Sequence, residues 1–94
     1  MTNTQDIETV LTRMAELLRL GCHEDWADAL VKHQIDLVTD PLVTSAKILA
    51  MYGGMGSIND LILYKDGQLL LKETNEFDAL RSQLNELCRK VETQ

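Results

Sequence analysis

Apolar residues recur along the first twenty positions at the spacing of one helical face: Ile7, Val10, Leu11, Met14, Leu17 and Leu18 follow the i, i+3, i+4, i+7 rhythm. The pattern predicts a helix from about Thr4 to Leu20, with Asn3 or Thr4 as N-cap, Asp6 and Glu8 at the positive end of its dipole and Gly21 as its C′ residue. A second helix is expected from Cys22–His23 to about Gln34, with Trp26, Ala29, Leu30 and His33 on one side. Ile35 to Val38 either extend it or form a connector. Asp40-Pro41 reads as an N-cap followed by proline at the first helical position, where the missing N–H costs nothing. The third helix that it opens carries Leu42, Ala46, Leu49 and Ala50 inward and ends at Tyr52, before Gly53-Gly54.

After the glycines the period changes. Leu61 to Tyr64 and Gln68 to Leu71 are short apolar runs separated by Lys65-Asp66-Gly67, and Asp-Gly between two such runs signals a hairpin because both positions tolerate φ > 0. Asn75 is expected to cap a last helix with Phe77, Leu80, Leu84, Leu87, Cys88 and Val91 on one face and its bases late. The order is ααα-ββ-α. The expected fold class is α+β, mainly helical: a helical bundle with one β-hairpin, in a single domain over residues 1–94 with no repeat and no linker.

Composition narrows the function classes. Nine Lys/Arg against fifteen Asp/Glu give a net charge of −6, and residues 1–40 hold eight of the acids and three of the bases. Nucleic acid is a poor partner for such a chain, because phosphate backbones are bound by clustered Lys/Arg. No apolar stretch reaches the roughly 18–20 residues of a membrane span, so no membrane association is expected. The polar, acidic N-terminus does not read as a signal peptide, and two cysteines are too few for a disulfide framework. A small cytoplasmic protein is the expectation.

Candidate chemistry is thin. His23 and His33, ten residues apart, are about 280° apart around a helix and cannot share a metal from one continuous helix. Cys22-His23 comes without a C-x-x-C or H-x-x-x-H pattern. No metal and no cofactor are expected. Cys88 falls in phase with Leu84, Leu87 and Val91, as a buried thiol would. Ser57 lacks the G-x-S-x-G elbow of a hydrolase nucleophile, and no pair of carboxylates has a spacing that singles it out, so no catalytic residue is assigned. The glycine cluster with Gly53, Gly54, Gly56 and Ser57 follows a helix and precedes a strand. That reverses the order of a phosphate-cradling loop, and the expected role is a structural turn with left-handed torsions, in which Asn59 and Asp60 bond the turn's own backbone.

One constellation remains. Glu24, Asp28, Lys32 and Asp36 are spaced by four and line one face of the second helix if it runs that far, with Asp25 beside them and Asp40 beyond. Such a set is either a solvated helix face or a surface for a basic protein partner, with Trp26 as its aromatic anchor.

The chain resembles a family of small bacterial proteins with a Trp-Ala pair in the second helix and a Leu-x-x-Tyr-Gly-Gly-Met-Gly-Ser-x-Asn-Asp-Leu block; here these are Trp26-Ala27 and Leu49 to Leu61. The resemblance brings no active site with it. By analogy of size and charge, such proteins are similar to the immunity proteins encoded beside polymorphic or contact-dependent-inhibition toxins. The preferred expectation is therefore an immunity protein or antitoxin, not an enzyme, that binds a basic protein toxin (a nuclease, for example) through Glu24, Asp25, Trp26, Asp28, Asp36 and Asp40, as a monomer or weak homodimer. The alternatives are a small-ligand or catalytic pocket built on the Gly53–Asp60 loop, and an accessory subunit that dimerises through an apolar helix face.

Overall fold

The structure is a computed structural model that describes residues 4–53 and 58–92. It is mainly helical with a small two-stranded antiparallel sheet. Four helices, α1 (Thr4–Leu20), α2 (Glu24–Thr39), α3 (Pro41–Ala50) and α4 (Leu71–Glu92), account for most of it. Between α3 and α4 lie a 3-10 turn, Ile58–Asp60, and a hairpin of β1 (Tyr64–Lys65) and β2 (Gln68–Leu69).

The apolar stripe of α1 is buried along its whole length, from Ile7 to Leu18, because α2 covers one side of it and α4 the other. α2 returns antiparallel to α1, and Gln34 near its end reaches back to donate to Thr12 Oγ1 at 2.6 Å and to the Glu8 carbonyl at 3.4 Å. Ala27, Leu30 and Leu37 face the core, while Trp26 and His33 sit half-buried at its edge. The helix runs on to Thr39, so Ile35 to Val38 extend it rather than unwinding. Asp40 then stops α2 and starts α3: its side chain accepts from the Val43 N–H at 3.3 Å, with Pro41 in the first turn.

α3 buries a different face from the one its hydropathy suggests. Thr44, Ser45 and Ile48 point inward, whereas Leu42 is 56 % exposed and Ala46 and Ala50 are also exposed. Two small polar residues of this ten-residue helix thus enter the core, where α3 packs against α2 and α4. α3 ends without a glycine cap. Its last turn tightens through Met51 N–H to Ile48 O and Tyr52 N–H to Leu49 O, and Gly53 carries no left-handed φ and has no atom of the described residues within 4 Å of where a Cβ would stand. The expected left-handed torsions thus do not occur at Gly53; Gly54, Gly56 and Ser57 lie outside the described residues.

The Asp66-Gly67 turn has the φ signs expected of it, +53° and +78°, and sets Tyr64 opposite Leu69 and Lys65 opposite Gln68. α4 begins at Leu71, five residues before the Glu76 start that an Asn75 cap would give. The Leu70 carbonyl accepts from the Thr74 N–H at 2.8 Å, and Thr74 Oγ1 accepts from the Leu63 N–H at 3.2 Å, so β2 runs directly into the helix. Phe77, Leu84, Leu87, Cys88 and Val91 close the core from this side.

The turn between α1 and α2 is a Schellman motif in which His23 N–H reaches Leu18 O at 2.8 Å and Cys22 N–H reaches Arg19 O at 3.2 Å. Its left-handed residue is Cys22 (φ +65°), not Gly21. Gly21 serves another purpose, because Leu63 packs where its side chain would stand.

Candidate functional site

Two surface regions collect polar groups. The first lies at the start of α2, where Cys22, His23, Glu24, Asp25 and Trp26 line an open depression of about 290 Å³. Glu24, Asp25 and Asp28 are exposed, and Trp26 packs its inner part against the core. Arg19, from the last turn of α1, ion-pairs with Glu24 and, at 3.0 Å, with Asp28. Both carboxylates raise the affinity of this guanidinium for its proton, Asp28 most. The pairing leaves the cluster acidic, because one guanidinium meets two carboxylates and Asp25 adds a third nearby in sequence. Trp26 thus has carboxylates on either side of it in sequence and an open edge toward solvent.

The remaining members of the expected acidic set sit elsewhere. Side chains four apart drift by about 40° per step around a helix, so Asp36 has turned by roughly 120° from Glu24. It is half-buried beside His33, whose pKa it pulls upward, although burial dominates and holds that imidazole below its ordinary value. Asp40 is occupied as the cap of α3. The structure therefore gathers Glu24, Asp25 and Trp26 along one depression, links Glu24 to Asp28 through Arg19, and leaves Asp36 and Asp40 toward the far end of α2. Arg19 was not singled out by sequence; its place at the end of a helix, facing the acids that open the next, is the signal that locates it.

His23 joins two parts of the fold. Its Nε2 lies 2.9 Å from the Ile62 carbonyl and ties the segment before the hairpin to the α1–α2 turn. Among the described residues, no group of three or more His, Cys, Asp or Glu is arranged to hold a metal ion.

The second region is a cleft of about 320 Å³ lined by Tyr52, Asn59, Arg81, Ser82, Asn85 and Glu86. Much of its hydrogen-bonding capacity is spent internally. Tyr52 donates its hydroxyl to the Arg81 carbonyl at 2.6 Å, and Asn59 donates its side-chain amide to the Tyr52 carbonyl at 2.6 Å. Arg81 donates to the Asn59 carbonyl and pairs with Asp78, each at 3.1 Å, while Asn85 accepts from Arg89 at 2.7 Å. Burial pushes the Tyr52 phenol well above its ordinary pKa. This geometry pins the two ends of the glycine segment to each other and to α4. For Asn59 it fulfils the expected bond to the turn's own backbone; the side chain of Asp60 is outside the described residues.

Among the described residues no helix is long and apolar enough to cross a membrane. The exposed large apolar residues fall mainly into two sets, Ile35, Val38, Leu42 and Val43 around the α2–α3 corner, and Ile62, Tyr64, Leu69 and Leu71 on the hairpin. A family model described as a domain of unknown function, DUF6966, matches residues 21–71. No curated protein and no solved structure matches the chain.

Proposed function

The chain belongs to the DUF6966 family, and from that premise we propose that it is a binding module, an immunity protein or antitoxin of the bacterial cytoplasm that neutralises a basic protein toxin. The observation that carries this reading is the exposed acidic start of α2, where Glu24, Asp25 and Trp26 line one depression and the exposed Asp28 follows a turn later. Exposed ion pairs are weak, so a lysine or arginine from a partner can displace Arg19 from Glu24 and Asp28 at small cost. That cation then meets Glu24 and Asp28 as Arg19 does, and charge-assisted bonds to paired carboxylates favour guanidinium and ammonium groups. Carboxylates gathered at one end of an acidic molecule also steer a basic partner toward that end.

The test is kinetic. A protein captured from the native host on the wild-type chain is purified, and its association with wild type and with a Glu24→Lys, Asp25→Lys, Asp28→Lys triple variant is followed across a salt series. The wild-type on-rate should fall steeply with salt, and the variant should associate at least about 10-fold more slowly with little salt dependence. An on-rate that ignores the three reversals removes the acidic depression as the binding surface. The toxin reading itself requires that the captured protein arrest growth when expressed alone and that co-expression of the chain relieve the arrest.

A further inference from the structure

The hairpin shows an apolar face to solvent in a position where a loop would ordinarily be polar. Its register places Leu63 opposite Leu70 and Tyr64 opposite Leu69, so the side chains alternate between two faces. Leu63 is fully buried and Leu70 packs on the core. Tyr64 and Leu69 take the other face, Ile62 and Leu71 follow at its base, and each of the four remains between 46 and 61 % exposed. The platform is held firmly: the Ile62 carbonyl is bonded to His23, the Leu63 N–H is bonded to Thr74, and Leu63 is lodged against Gly21. A preorganised apolar face of this kind costs little further ordering when it binds.

We propose that this outer face, Ile62, Tyr64, Leu69 and Leu71, joins the acidic first turn of α2 in one docking surface for a basic protein segment. The hairpin seats apolar side chains of that segment next to the cation taken by Glu24, Asp25 and Asp28. This rests on the reading of the acidic depression given above and adds to it the packed centre that a slowly dissociating complex needs. The two parts are contiguous, because His23 lines the depression and is bonded to Ile62 at the hairpin's edge.

Charge decides the occupant. From Ile62 to Glu73 the hairpin segment carries Lys65, Asp66, Lys72 and Glu73, which balance, so the adjoining carboxylates of α2 set the sign of the surface. A second copy stacked on this face would bring a molecule of the same net charge, −6, and no surplus of bases to meet these carboxylates. An anionic lipid surface would meet the same carboxylates. A peptide or loop that alternates Lys or Arg with aliphatic or aromatic residues satisfies both parts.

The experiment uses the full-length protein and a random-peptide phage library as its probe. Peptides enriched on wild type are synthesised and their affinities measured for a Tyr64→Ser, Leu69→Ser variant and for a charge-neutral Glu24→Gln, Asp25→Asn, Asp28→Asn variant. Leu71→Gln, in the first turn of α4, replaces the hairpin variant if circular dichroism shows that variant to be unfolded. Enriched peptides should pair basic with apolar residues, lose about tenfold or more in affinity on the hairpin variant, and lose affinity together with salt dependence on the charge-neutral variant. Peptides that bind the hairpin variant as tightly as wild type but fail on the charge-neutral one overturn the hairpin assignment and leave the acidic reading standing. The converse pattern overturns the acidic reading, and this inference with it. Failure to enrich any peptide above a control surface also overturns the proposal.

Discussion

Leu63 occupies the place of a side chain at Gly21: a Cβ built on that glycine would lie 2.7 Å from Leu63 Cδ2 and 3.0 Å from its Cβ. The glycine is there for approach rather than for backbone freedom, since the left-handed torsion of the turn belongs to Cys22. Gly21→Ala should therefore destabilise the protein by about 1–3 kcal/mol, the usual cost of forcing extra volume into a filled site. Cys22→Gly should do the opposite and add up to about 1 kcal/mol, because it relieves a non-glycine residue at φ +65°. Urea unfolding of the two variants checks both signs, and equal effects of the two would contradict this division of labour.

Ser45 is fully buried in α3, and its hydroxyl has no hydrogen-bond partner among the described residues. Ser45→Ala removes an unpaired polar group and improves helix propensity, and should raise stability by about 1 kcal/mol. A measured loss of stability would mean that the hydroxyl is paired in solution.

Tyr52→Phe should cost about 1 kcal/mol through loss of the bond to the Arg81 carbonyl. It should also change behaviour in alkali. The folded phenol titrates above its ordinary value of 10.0 because burial disfavours the phenolate. Its contribution is thus complete below pH 10 and is lost as pH rises through the folded pKa. Wild-type stability should decline in that range, and the phenylalanine variant should lose this part of the decline.

Acid should act at two separate sites. Arg13 holds both oxygens of Glu76, at 2.7 and 3.0 Å, and this hydrogen bonding keeps the Glu76 pKa below 4.5. The stabilisation is present above pH 4.5 and fades as pH falls through the lower folded pKa; Glu76→Gln should flatten that segment of the pH profile. Burial holds His33 below 6.5, so the unfolded chain takes up this proton first and stability starts to fall as pH drops past 6.5. His33→Leu should remove this earlier step and leave the later one.

How far the chain could be read in advance differs from element to element. α1, the Asp40-Pro41 boundary, the Asp66-Gly67 turn and the stripe of α4 were legible because each depends on contacts within a few residues: a periodic face, a cap, a dipeptide that accepts positive φ. The buried face of α3 was not, because its rotation is set by neighbours and places Thr44 and Ser45 inward ahead of Leu42. The early start of α4 depends on Thr74 bonding Leu63 across the hairpin. Of the acidic set, the group on the first turns of α2 was visible as a cluster, but its pairing with Arg19 belongs to the geometry of the interhelical turn, and Asp36 left the stripe through the drift of the helical period.

The seat of Leu63 against the α1–α2 turn also bears on the order of folding events. α1 and α2 are joined by a tight turn and pair through neighbouring parts of the chain, whereas the hairpin reaches Gly21 and His23 only after all of α2 and α3 has been traversed. Local pairing closes small loops and is fast, and docking of the hairpin closes a long one, so the helical pair should be formed in the transition state while the seat is still open. Damage to the seat, as in Gly21→Ala, should then accelerate unfolding and leave the refolding rate nearly unchanged, and Leu30→Ala in the α1–α2 contact should slow refolding. Chevron plots of the two variants separate these outcomes; a refolding arm slowed by Gly21→Ala would place hairpin docking in the rate-limiting step.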